Sequence, residues 1–228
     1  MPATSSSAPG AVAVLVVAGE HGGLVWRARV MSARQGVRAG PSLKPVAGQE
    51  FDLIEDLPDD GSRQKETYAR FGLAAYSAQV FEAGLINLIA IATAYASRSG
   101  KPMTIEDVDA LNDELFGHTS GRLVTLLAGI IPSEADHLDA CRLAVSERNR
   151  LMHRFFREHA QDFLTPSGMQ RMVDDADSVR ILLEGADAET DAMSARLLER
   201  VGVTSDVVQA EYDQLVAEAW RQHGGRST

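Results

Sequence analysis

The chain has 228 residues, of which 45% are hydrophobic and 24% charged. That balance is usual for a folded domain and excludes a wholly disordered or collagen-like chain. The single cysteine, Cys141, excludes an internal disulfide framework and a Cys-rich zinc module, so a cytoplasmic setting is the default expectation. The net charge is −10 but uneven: residues 1–50 carry five basic and two acidic groups, and the remaining chain carries 17 basic and 30 acidic ones. So acidic a body argues against broad non-specific DNA binding, which needs a large positive footprint, while leaving room for a local basic site.

In chain order, residues 1–10 form a small-residue tract without apolar pattern. The run 11–19 (AVAVLVVAG) reads as a lone strand with no evident partner, and a lone strand cannot make a sheet. It is too short to span a bilayer and lacks the preceding basic residues of a secretory signal. Residues 1–61 are therefore expected to be a segment of low order, with Met31 an alternative start for the native sequence.

From Ser62 onward the pattern is helical. A first helix is predicted over roughly 63–98, with Tyr68, Phe71, Ala75 and Ala78 at three- and four-residue steps. Its second half, Ala83 to Ser97, carries no charge, so it should sit centrally in a bundle or at a subunit interface. Thr104 followed by Glu106 and Asp107 predicts an N-cap with an acidic first turn, opening a short helix to Phe116. Another short helix carries Leu123, Val124, Leu126 and Leu127. Ser133 is expected to cap a long helix over 134–160, and Ser167 to open one through Met172 and Leu183. Two more helices are predicted, over 187–201 and, capped by Ser205, over 206–222. No period of 20–50 residues repeats. The fold class is all-α: an antiparallel four-helix up-and-down bundle over 62–184 with a helical extension over 185–228.

The helix over 134–160 is the most informative. Leu138, Cys141, Val145, Arg148, Met152, Phe155 and His159 follow an unbroken apolar seam that includes one arginine and one histidine. Asn149 and His153 stand four apart on an adjoining face, and Arg150, Arg154 and Arg157 form a stripe outside it. Residues 142–159 hold five arginines against two glutamates, the one strongly basic patch of the chain. Such a helix has a plain structural explanation: its arginines pair with acids of neighbouring helices, Arg148 bridges to Glu82, and His153 is a half-buried packing residue.

The segment Arg148-Asn149-Arg150-Leu151-Met152-His153, with Phe155-Phe156 after it, resembles the R-N-x-L-x-H form of the motif of the HEPN superfamily. The helix YARFGLAAYSAQVFEAGLINLI (68–89) is similar to the first helix of bacterial HEPN-like proteins, and the resemblance covers roughly residues 63–184. It implies a four-helix bundle, usually a homodimer with two motif copies facing each other. Many members are metal-independent endoribonucleases, often toxins in toxin–antitoxin or defence systems; others are catalytically silent binding or scaffolding modules.

On this resemblance the catalytic residues are Arg148, Asn149 and His153. His153 would shuttle a proton near neutral pH, Arg148 would supply fixed charge to the phosphorane, and Asn149 would orient the histidine or a phosphate oxygen. Arg150, Arg154 and Arg157 would hold the RNA backbone. A supporting polar residue is sought among Ser77, Glu82 and Asn87. No cofactor, metal or membrane is implied; the expected partners are RNA, a second copy and an antitoxin or regulatory protein.

Other constellations are weak. The six histidines His21, His118, His137, His153, His159 and His223 form no HExxH and pair with no cysteine at zinc-finger spacing. The stretch 116–122 lacks the Lys-Ser/Thr ending of a phosphate-binding loop and reads as a turn. Cys141, on the core seam, reads as a small buried hydrophobe, and Asp174, Asp175 and Asp177 as a solvated acidic face.

Overall fold

The computed structural model describes residues 14–18, 24–28, 53–59, 61–97, 103–200 and 202–223. Most of the segment expected to be of low order, including Met31, lies outside the described residues. Within it, however, the predicted strand is not alone. β1 (Val14–Ala18) pairs antiparallel with β2 (Leu24–Ala28), Val16 opposite Trp26. The five intervening residues, Gly19-Glu20-His21-Gly22-Gly23, carry the glycine-rich composition of a hairpin connection.

The rest of the described chain is helical: α1 (Ser62–Ser97), α2 (Ile105–Phe116), α3 (Ser120–Ile130), α4 (Ala135–Glu158), α5 (Pro166–Glu199) and α6 (Ser205–His223). Two compact units divide it, one of residues 1–33, 83–119 and 191–228 and the other of 34–82 and 120–190. In the first unit α2 starts where expected, on a reciprocal cap: Asp107 N–H donates to Thr104 Oγ1 (3.2 Å) and Thr104 N–H to Asp107 Oδ2 (2.9 Å). The uncharged half of α1 buries nearly every face, with Leu85 and Leu88 fully enclosed. By length and composition α1 also passes as a membrane span, with mean hydropathy 1.5 over 18 residues, half of them buried; a core helix meets the same criterion.

The second unit holds α4, and its side-chain links set the helix directions. Arg70 meets Asp177 and Ser77 meets Glu184, both 107 residues apart, so α1 and α5 are neighbours running the same way. Phe71 against Phe155, and Glu82 against Arg148, make α4 antiparallel to α1. α4 thus runs antiparallel to both α1 and α5, which run parallel to one another. Phe81, Leu123, Leu127, Leu138, Leu151, Phe155, Met172 and Leu183 are buried in this unit.

Two expected boundaries move. α5 starts at Pro166 rather than Ser167, because Thr165 Oγ1 accepts from Gly168 N–H (3.1 Å) and proline suits the first helical position. It then continues to Glu199, so 187–201 is no separate helix. The buried positions Leu183, Ala186, Thr190, Met193 and Leu197 continue one stripe straight past Gly185, and helix geometry is maintained by that packing.

Candidate functional site

α4 supplies the site. Of its predicted seam, Leu138, Cys141, Val145 and Phe155 are buried, while Met152 is 40% exposed and its place inside is taken by Leu151. The inward stripe thus rotates by one residue near the motif. Arg148 lies half-buried at the stripe's edge. Its Nη2 donates to Glu82 Oε2 (3.0 Å) on α1, and its Nη1 to Asn149 Oδ1 (3.1 Å). Glu82 is held in turn by Ser120 Oγ at the start of α3, which donates to Oε1 at 2.5 Å. Three helices therefore fix one guanidinium. These two bonds use two of its five N–H donors, so the planar head retains directions in which to donate.

Glu82 is the supporting residue that reaches the motif. Ser77 is instead buried against Glu184 (3.3 Å), and Asn87 is half-buried within the other unit. Ser120, read from sequence as part of a turn, is the missed member of the cluster. Only its place just after Gly117, where a new helix must open, marked it as a polar residue at a helix start.

His153 is exposed rather than a half-buried packing residue, and it makes no ion pair among the described residues. On an ideal helix it lies about 140° round from Arg148. Arg154 and Arg157 are likewise exposed without ion pairs among the described residues.

Arg150 behaves differently from its expected role as an open backbone-binding arginine. Its fork meets Asp175 twice (2.9 and 2.7 Å), Glu147 (2.8 Å) and Glu158 (3.1 Å). Asp175 Oδ2 also accepts from His159 Nε2 (2.9 Å), whose Nδ1 lies 2.8 Å from Asp162 Oδ2. Arg171 completes the chain on Asp162. Both ring nitrogens of His159 face carboxylates, an arrangement that favours the protonated ring donating from both. Burial works against that charge, yet the bonds to Asp175 and Asp162 raise the His159 pKa above 6.5. Asp175 is likewise below 3.8, with burial outweighed by the bonds from Arg150 and His159. Asp175 and Asp177 are thus ion-paired rather than a solvated face, while Asp174 accepts from Gln170 (2.8 Å).

Tight backbone approach secures this bracket between α4 and α5. A Cβ on Gly168 would overlap the Asp162 carbonyl, lying only 2.6 Å from its carbon, so position 168 admits glycine alone without a shift. Cys141 is fully buried, and burial pushes its thiol up to about 11, which suits packing and not nucleophilic attack. Among the described residues no group of three or more His, Cys, Asp or Glu side chains is arranged to hold a metal ion. No family model, curated protein or solved structure matches the chain.

Proposed function

We propose that the chain is a metal-independent endoribonuclease of the HEPN type, built on that superfamily's four-helix bundle. It acts in the cytoplasm as a homodimer, with toxin or defence character and an antitoxin or regulatory protein as partner. The observation that carries this reading is an anchored arginine and an exposed histidine on one helix: Arg148 is fixed by Glu82 and Asn149, and His153 stands exposed five residues on, across a common groove.

In the reaction, His153 takes the proton of the ribose 2′-hydroxyl, and the 2′-oxygen attacks the adjacent phosphorus. The bond from phosphorus to the 5′-oxygen breaks, and a proton is returned to that oxygen. The products are a 2′,3′-cyclic phosphate and a 5′-hydroxyl. Arg148 donates to the phosphorane oxygens from a position its carboxylate partner has already set, which lowers the reorganisation the transition state requires. Asn149 orients the guanidinium or a phosphate oxygen. Arg154 and Arg157 hold the strand, a role from which Arg150 is withdrawn by its carboxylates.

The other reading is a catalytically silent HEPN-like bundle acting as a dimeric binding or scaffolding module. It is favoured by the neutralisation of Arg148 by Glu82 and by the acidic body. Incubation with total RNA and a tRNA-like substrate without divalent metal separates the two. Cyclic-phosphate ends produced by wild type and lost in Arg148→Ala and His153→Ala support the enzyme. No cleavage by the folded protein over a range of RNAs leaves the scaffold.

A further inference from the structure

An aromatic surface adjoins the motif and belongs to none of the roles above. Phe156 and Tyr68 form a tilted pair with ring centroids 5.8 Å apart, and they are 40% and 53% exposed. Burying a phenylalanine fully is the ordinary outcome, and its neighbour Phe155 is 1% exposed. Here two rings are instead propped outward by a rigid base. Phe71 lies 4.8 Å from Phe156 and 5.3 Å from Phe155, and Phe163 packs, tilted, 5.5 Å from Tyr68. Side chains locked in this way present faces to solvent at little further entropic cost on binding.

Position sets the chemistry of what such faces would meet. Asn149, His153 and Phe156 stand at i, i+4 and i+7 of α4, one continuous strip. Arg157 follows His153 by four residues, so a cation borders the same strip. Among the described residues His153, Arg154 and Arg157 have no carboxylate partner, although the chain as a whole is acidic. Flat apolar faces beside unpaired cations complement a ligand that alternates planar bases with phosphates. An acidic protein partner pairs the cations as well but offers no succession of planar bases to stack on the rings, and a duplex would hide its bases.

We propose that Tyr68 and Phe156 form a base-stacking platform for single-stranded RNA, with Arg157 on a flanking phosphate. This rests on the ribonuclease reading and narrows it: the substrate is an unpaired strand, and a base beside the cleaved bond stacks on Phe156. The platform is tolerant of base identity, since every base has a face to stack.

The test is fluorescence anisotropy of the full chain with a labelled single-stranded oligoribonucleotide carrying 2′-O-methyl groups, which cannot be cleaved. A matching duplex and an abasic strand serve as controls. Phe156→Leu and Tyr68→Leu keep apolar volume while removing the ring, and their melting curves monitor folding. Each is expected to weaken single-strand binding roughly tenfold, as loss of one stacked base does, and to leave the abasic strand's weak binding unchanged. Phe156→Trp is expected to restore it. Equal affinity of wild type and both leucine variants overturns the platform, whatever the cleavage result. Tighter binding of the duplex than of the single strand also overturns it. If the leucine variants instead dissociate a dimer in sedimentation without touching RNA affinity, the face is a protein interface and the proposal fails. Failure of the ribonuclease reading shows separately: the unmodified strand then binds through Phe156 and stays intact.

Discussion

Two regions of α4 hold nearly the same charged side chains within three turns and put them to opposite uses. On the side facing α5, Arg150 and His159 are closed on Glu147, Glu158, Asp162 and Asp175. On the solvent side, His153, Arg154 and Arg157 meet no carboxylate among the described residues. The local charge excess is therefore not one patch but a structural bracket and an open strip. A count of arginines gives the charge present, and only the placement of acids on the next helix gives the charge available to a ligand. Buried, hydrogen-bonded charges resist substitution; exposed ones can change with little effect on the fold.

The contrast is sharpest in the expected effects of substitution. His153→Ala is expected to lower cleavage by about 10²- to 10⁴-fold, the usual contribution of a general acid–base, while stability moves by less than about 0.5 kcal/mol. Parallel RNA-cleavage rates and urea unfolding check both halves. Gly168→Ala should do the reverse. The added Cβ meets the Asp162 carbonyl, and overpacking of this kind destabilises by about 3 kcal/mol, read as a lower urea midpoint.

Asp175→Asn removes the carboxylate shared by Arg150 and His159 and is expected to destabilise by about 1–3 kcal/mol. It should also bring the His159 pKa down towards 6.5, visible in an NMR titration of the ring; an unmoved pKa would break the assignment of the bracket. The pH dependence has a definite sign. Because the His159 pKa is raised, its contribution is complete below about 6.5 and disappears as pH rises through the raised value. Because that of Asp175 is lowered, its contribution is present above 3.8 and disappears as pH falls through the lowered value. The bracket is strongest between these limits, and Asp175→Asn should flatten the stability profile at both edges. Arg157→Ala has the smallest effect on the fold, under about 0.5 kcal/mol, and reduces the salt dependence of single-strand RNA binding by about 0.7 in log–log slope. A stability loss at Arg157 equal to that of an Arg150 variant would erase the distinction between the two regions.

Much of this was legible in the chain itself. Thr104 with Asp107, the uncharged stretch after Ala83, and the Arg148–Glu82 bridge followed from caps, periodicity and charge pairing. Other features depend on partners remote in sequence. That Arg150 is closed and Arg157 open depends on Asp175, which stands opposite only one of them. The requirement at Gly168 comes from a backbone approach that leaves no local signature. Tyr68 and Ala78 share the three- and four-residue steps of one helix face, yet Tyr68 lies exposed while Ala78 is 1% exposed. The continuity of α5 past Gly185, and the second strand Leu24–Ala28 beyond a glycine-rich run, had readable signals in stripe spacing and turn composition.

The parallel pairing of α1 with α5 also bears on how the chain is made. α4 and α5 find one another across a short connection, Arg150 and Asp175 being 25 residues apart, and that hairpin closes locally. α1 waits for partners 107 residues downstream, Asp177 for Arg70 and Glu184 for Ser77. At a synthesis rate of about 5–20 residues per second, the ribosome needs roughly 5–20 s to deliver them. Over that interval α1, its uncharged second half included, has been synthesised without its α5 partner. The Glu82 grip on Arg148, 66 residues away, is likewise completed only once α4 has followed.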